Sequence, residues 1–180
     1  FVFRNQAATK QTGDILYPFG FEDKPATTKT RPSGITDGIF YDANDPTKVT
    51  VSLYVAPSKS GVTAKNVYIM CDANNWNLNN DYQCYKDGNY FWYTFTGLTA
   101  GKEYAFQYGV KMSNGSFVQM SDPYSTKVLH GDDQWEPKKV DPTLMDYPKG
   151  GSDYVTVIQP GKKAFEWSDA TKNFKRPDKN

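Results

Sequence analysis

The chain has 180 residues, with 21 lysines and arginines against 20 aspartates and glutamates. That length suits one domain and leaves no room for a barrel enzyme of roughly 250 residues. A net charge of +1 provides no field to hold a polyanion, and no apolar run approaches the roughly 20 residues that cross a bilayer, so neither nucleic acid nor a membrane span is expected. Val, Ile, Thr, Tyr, Phe and Trp total 61 residues while Ala, Leu and Glu total 21. Branched and aromatic side chains suit a pleated, half-buried surface, so strands are favoured over helices.

Residues 1–34 are polar, and Thr27-Thr28-Lys29-Thr30-Arg31-Pro32 is the least structured part. They read as a flexible leader or linker, or as the remnant of a preceding module, with Phe1–Asn5 a candidate short strand. A start at Phe1 without methionine suggests a processed or excised segment. The first clear pattern is Lys48–Val55, where Val49, Val51, Leu53 and Val55 alternate with Thr50, Ser52 and Tyr54, the period of two of a half-buried strand. Strands are then expected at Asn66–Cys71 and Tyr82–Lys86, separated by the Asn-rich loop Asp72–Asp81. Asp87-Gly88 leads into Asn89–Thr96 as a hairpin signal. Tyr104, Phe106, Tyr108 and Val110 alternate with Ala105, Gln107, Gly109 and Lys111, and Asn114-Gly115 turns this strand back through Ser116–Gln119. Beyond Ser121 the chain is irregular and Pro-punctuated, relieved by a candidate strand at Asp153–Gln159, and it is expected to wrap the surface. Its end, Lys172–Asn180, is charged and linker-like.

The short, evenly spaced strands predict an all-β sandwich of two antiparallel sheets over residues 35–128, immunoglobulin-like in its architecture, followed by a wrapping and linking segment over 129–180. Cys71 and Cys84 are too few for a disulfide scaffold. Their places near the ends of successive strands allow either a cross-strand bridge or two buried thiols.

Hydrolytic chemistry finds few candidates. The single histidine, His130, reads as a surface-loop residue, and no Gly-x-Ser-x-Gly elbow accompanies it. The glutamates Glu22, Glu103, Glu136 and Glu166 are scattered, with no pair singled out for glycoside hydrolysis. Asp72–Asn77 is a weak match to a calcium loop, with Trp76 at an alternate ligand position and no closing glutamate, and reads as a turn. No catalytic residue, metal site or cofactor is expected. Of the 28 aromatic residues, most must form core. Trp76 stands apart, because it lies among Asn74, Asn75, Asn77, Asn79 and Asn80. An aromatic plate flanked by amides suits a sugar, whose C–H face stacks while its hydroxyls bond the amides. The same pattern suits equally a ring that folds back and caps the sandwich.

Asn66-Val67-Tyr68-Ile69-Met70-Cys71-Asp72-Ala73-Asn74-Asn75-Trp76, then Asp87-Gly88-Asn89-Tyr90-Phe91-Trp92, then Gly101-Lys102-Glu103-Tyr104-Ala105-Phe106-Gln107-Tyr108, and finally Ser121-Asp122-Pro123-Tyr124 resemble, in order and spacing, the N-terminal domain of alpha-amylase-family enzymes. These are glycoside hydrolase family 13 proteins, whose leading domain is similar to carbohydrate-binding module family 48 and the isoamylase N-terminal domain. The closing Asn173–Asn180 resembles the segment that enters the catalytic barrel in bacterial members. The resemblance implies a non-catalytic accessory module of a starch- or glycogen-active hydrolase. Its partners would be α-glucan and the barrel of the same polypeptide, and its address extracytoplasmic. Trp76 matches the sugar-stacking tryptophan of glucan-binding relatives, with Asn75 and Asn77 beside it. Phe117 approximates a second binding aromatic, and Ala105 stands where a binding lysine is implied. The competing expectation is a structural domain that packs on its barrel without an independent ligand. A stand-alone enzyme is the third.

Overall fold

The computed structural model describes residues 21–162, 168, 171 and 173–175. The candidate strand Phe1–Asn5, Glu166 and much of the closing tail lie outside them. Alternation builds the first sheet. In β2 (Val49–Tyr54) the odd residues Val49, Val51 and Leu53 point into the core. β2 lies between β1 (Gly38–Tyr41) and β5 (Tyr90–Phe95), and β4 (Tyr85–Asp87) closes the order β1-β2-β5-β4, antiparallel throughout. The β4–β5 hairpin turns at Gly88, whose φ of 62° is a left-handed conformation that glycine adopts without steric cost.

The second sheet is built on β6 (Tyr104–Met112), with β3 (Ala64–Cys71) along one edge. The opposite edge is shared. β9 (Tyr154–Ile158) pairs with Tyr104–Phe106, and β7 (Phe117–Met120) pairs with Tyr108–Lys111. β8 (Val128–His130) completes the sheet beyond β9. The chain is therefore an all-β sandwich of two antiparallel sheets, as its composition predicts. Its strands continue to Ile158, past the Val128 expected as the sandwich's end, because β9 inserts between β6 and β8. Tyr82 is not in a strand. It ends a 3-10 turn, Asn80–Tyr82, whose cap Asn79 accepts from the Asp81 N–H at 2.9 Å. Among the described residues one short α-helix, Glu136–Val140, occurs, and no helix is long and apolar enough to cross a membrane.

The core between the sheets contains Val67, Ile69, Phe91, Phe95, Phe106, Tyr108, Val110 and Ile158, joined by the thiols of Cys71 and Cys84. Both cysteines are free and buried, which matches the buried-thiol alternative. A second apolar cluster covers the other face of the five-stranded sheet: Tyr68, Met70, Ala105, Leu129, Val155 and Val157 pack with Trp76 and Leu78. That sheet is thus buried on both sides.

The segment expected to be a flexible leader is bonded to the sandwich from Phe21 onward. The Lys29 N–H donates to Lys86 O, and the Lys86 N–H to Thr27 O, each at 2.9 Å along β4. The Trp92 Nε1–H donates to Lys29 O at 2.9 Å, and the Arg31 guanidinium lies 3.5 Å from the centre of the Tyr90 ring and pairs with Asp87 at 3.1 Å. Further back, Asp23 receives hydrogen bonds from Tyr68 and Asn66 and pairs with Lys65 at 3.2 Å and Lys111 at 3.1 Å.

Burial of Asp23 pushes its carboxyl up, but the bonds from Tyr68, Lys111, Asn66 and Lys65 outweigh it and hold the value at about 2. The folded value lies below the ordinary 3.8, so this stabilisation is fully present above that pH and disappears as the pH falls through 2. Asp23→Asn should lower stability by about 2 kcal/mol at neutral pH. It should also flatten the acid limb between those values, as read from urea unfolding at a series of pH values.

Candidate functional site

β3 ends at Cys71, and the next residues form a compact loop whose asparagines serve the backbone. Asn74 is buried. Its Oδ1 accepts from the Cys71 N–H at 3.0 Å, and its Nδ2–H donates to Ile69 O at 2.7 Å. The turn then passes through two left-handed residues, Asn75 at φ 52° and Trp76 at φ 57°. Asparagine tolerates that conformation, whereas a bulky ring seldom adopts it, so tertiary contacts must hold Trp76 there. The Trp76 N–H donates to Cys71 O at 2.9 Å, and its indole Nε1–H donates to Asp72 Oδ1 at 2.6 Å.

This geometry turns the indole inward. Trp76 is only 7% exposed, inside the outer apolar cluster with Tyr68, Met70 and Leu78. Its neighbours Asn75 and Asn77 are exposed, and the Asn77 Nδ2–H donates to Asn75 O at 3.0 Å. Ring and amides therefore do not share one open surface. Phe117 packs on the same cluster, half-buried, and Gly109 makes room for it. A Cβ built on Gly109 would lie 2.9 Å from Met70 Sδ, 3.0 Å from Phe117 Cζ and 3.1 Å from Leu78 Cδ2. The structure thus brings Trp76 and Phe117 to one face of the five-stranded sheet, the face that also carries Ala105.

A cover lies over that face. Leu144, Met145 and Tyr147 pack against the cluster, and the backbone of Gly150 passes so close that an added Cβ would sit 2.1 Å from Trp76 Cβ. Glutamines fasten this strap. Gln107, nearly fully buried, donates through Nε2 to Ser152 O at 2.6 Å and Tyr154 O at 2.7 Å, and its Oε1 accepts from the Ser152 N–H at 3.1 Å. The Gln119 Nε2–H donates to Gln107 Oε1 at 2.8 Å and Gly150 O at 3.0 Å, and the Gln134 Nε2–H to Met145 O at 3.2 Å. Sequence reasoning missed Gln107. Its place among alternating residues predicts a solvent-facing side chain, and only the strap, far along the chain, makes it internal.

The other candidates are engaged elsewhere. His130 ends β8 rather than sitting in a loop, with its ring 4.8 Å from that of Tyr154 across the strand pair. Glu103 pairs with Lys127 at 2.6 Å, and Glu136 with Lys139 at 2.5 Å. Asp122 of the Ser121–Tyr124 motif is buried. It accepts from the Tyr108 hydroxyl at 2.9 Å and the Tyr124 N–H at 2.8 Å, and burial pushes its carboxyl up. It fastens a turn to the core. No group of three or more His, Cys, Asp or Glu side chains among the described residues is placed to hold a metal ion. No protein-family model matches the chain, and a search of curated proteins finds no match either.

Substituting Gly150→Ala forces either the strap or Trp76 to move, an overpacking cost of about 1–3 kcal/mol. The expected result is a lower urea midpoint together with faster amide exchange at Gly151 and Ser152. Unchanged exchange there would show that the strap tolerates the methyl group.

Proposed function

We propose that the chain is a non-catalytic accessory module of an alpha-amylase-type glycoside hydrolase acting on starch or glycogen. In this reading its signature tryptophan is a packing element rather than a sugar platform. The order of the four motifs and the two-sheet all-β fold support the first part, and the immunoglobulin-like architecture and extracytoplasmic address belong to the same proposal. Fold alone does not license a function. The observation that carries the second part is the burial of Trp76 under Gly150, with its indole Nε1–H bonded to Asp72. A ring covered on this side by its own chain offers no free face to a glucan, which favours the structural, docking form of the accessory role over autonomous starch binding at Trp76 and Phe117.

Two measurements test this. Trp76→Ala should cost about 3–5 kcal/mol, as loss of a large core aromatic does, in chemical unfolding. A stable variant that loses heat of binding to maltoheptaose would instead restore Trp76 as a sugar plate. Incubated with soluble starch, the purified chain should release no reducing sugar; release would make it an enzyme and overturn the accessory role.

A further inference from the structure

At the end of the sandwich where β3, β5 and β9 finish and β6 begins, the two sheets part around a cavity of about 310 Å3. We propose that this cavity binds a single pyranose ring of a neutral sugar, at a site separate from the strap-covered face of Trp76 and Phe117.

The floor is apolar, formed by Phe95, Phe106 and Ile158. Three tyrosines, Tyr82, Tyr93 and Tyr104, stand around it, with the Tyr82 and Tyr93 rings nearly parallel at a centroid separation of 6.1 Å. Such rings take the C–H face of a sugar, and their hydroxyls take its edge. Most of the hydroxyls are left ready for a ligand, while that of Tyr104 accepts from the Thr99 N–H at 2.9 Å. Among the described residues the hydroxyls of Tyr82, Tyr93 and Thr96 have no hydrogen-bond partner, and Asp72 uses one carboxylate oxygen, on the Trp76 indole. Half-burial pushes the Tyr93 hydroxyl, already protonated at neutral pH, up to about 12, so it remains a donor in alkaline solution as well. Hydroxyls that both donate and accept match a ring bearing several hydroxyls.

Size and chemistry narrow the occupant. The cavity lies at the small end of the roughly 300–1,000 Å3 range of ligand sites, which suits one six-membered ring and not an oligomer within it. A quaternary ammonium would gain from the ring faces but would satisfy none of the hydroxyls. A phenylalanine side chain of a partner would likewise satisfy none of them. This proposal goes beyond the accessory-module reading and stands or falls separately, because its test uses neither starch nor Trp76.

The experiment is a titration of the 15N-labelled chain with methyl α-D-glucopyranoside, with phenol and choline as comparison probes, followed by amide NMR. Saturable shifts are expected at Thr96, Leu98 and Ala105 with a millimolar dissociation constant. Tyr93→Phe should weaken binding roughly three- to tenfold, the value of one neutral hydrogen bond. Ala73→Phe, at an exposed position on the cavity wall, should plug the cavity and abolish the shifts while leaving the rest of the spectrum in place. Absence of shifts at tens of millimolar glucoside, shifts that survive Ala73→Phe, or a response to phenol or choline alone would each overturn the proposal.

Discussion

A sheet that is apolar on both faces has to be covered twice, and in this chain the five-stranded sheet sets that requirement. Its inner face, with Ile69, Phe106 and Tyr108, meets the four-stranded sheet as in any sandwich. Its outer face, with Tyr68, Met70, Val155 and Val157, needs a second layer. That layer comes from three distant stretches: the N-terminal segment through Phe21, the Asn-rich loop through Trp76 and Leu78, and the strap through Leu144, Met145 and Tyr147. Each of the three covers part of this face. The polar pieces that join them, Asp23 with its two lysines and Gln107 with its backbone partners, fix where each cover sits.

How much of this was legible in the sequence follows from how local each signal is. β2 and β6 are written in strict alternation, and Asp87-Gly88 and Asn114-Gly115 mark the β4–β5 and β6–β7 turns, so those elements are found where the pattern puts them. β1 and β8 escape because four and three residues are too few to show a period, and, unlike the equally short β4 and β7, neither is paired with a hairpin-turn signal in the sequence. Tyr82 reads as strand by composition, yet the Asn79 cap draws it into a 3-10 turn. The Trp76 loop shows the limit best. Its asparagines announce a turn correctly, but whether the ring faces water or core is decided by Gly150, more than seventy positions later. No local pattern carries that information, which is why capping and sugar stacking stood level. Gln107 fails for the same reason: alternation marks it as polar and outward, and outward here is inside.

The two aromatic regions of the molecule consequently differ in kind. Around Trp76 and Phe117 the rings are closed over by their own chain, and the indole N–H has its acceptor. At the sandwich end the rings border an open space, and hydroxyls there lack acceptors among the described residues. Aromatic content alone does not separate these cases. The state of the polar atoms attached to the rings does, because a buried donor that is satisfied belongs to the fold while one left open is available to something else.

The pairing of Thr27–Lys29 with Lys86 has a bearing on how the molecule behaves in company. β4 is the last strand of its sheet, and without a neighbour its backbone would present a template on which another copy could add a strand. The N-terminal segment occupies those positions, and Lys29 spreads its charge over the rings of Tyr85 and Trp92 at 4.5 and 5.3 Å. What resembles a tether is therefore also a guard. A version trimmed back to the strands would lose both the Phe21 cover of the outer sheet face and this protection against self-association.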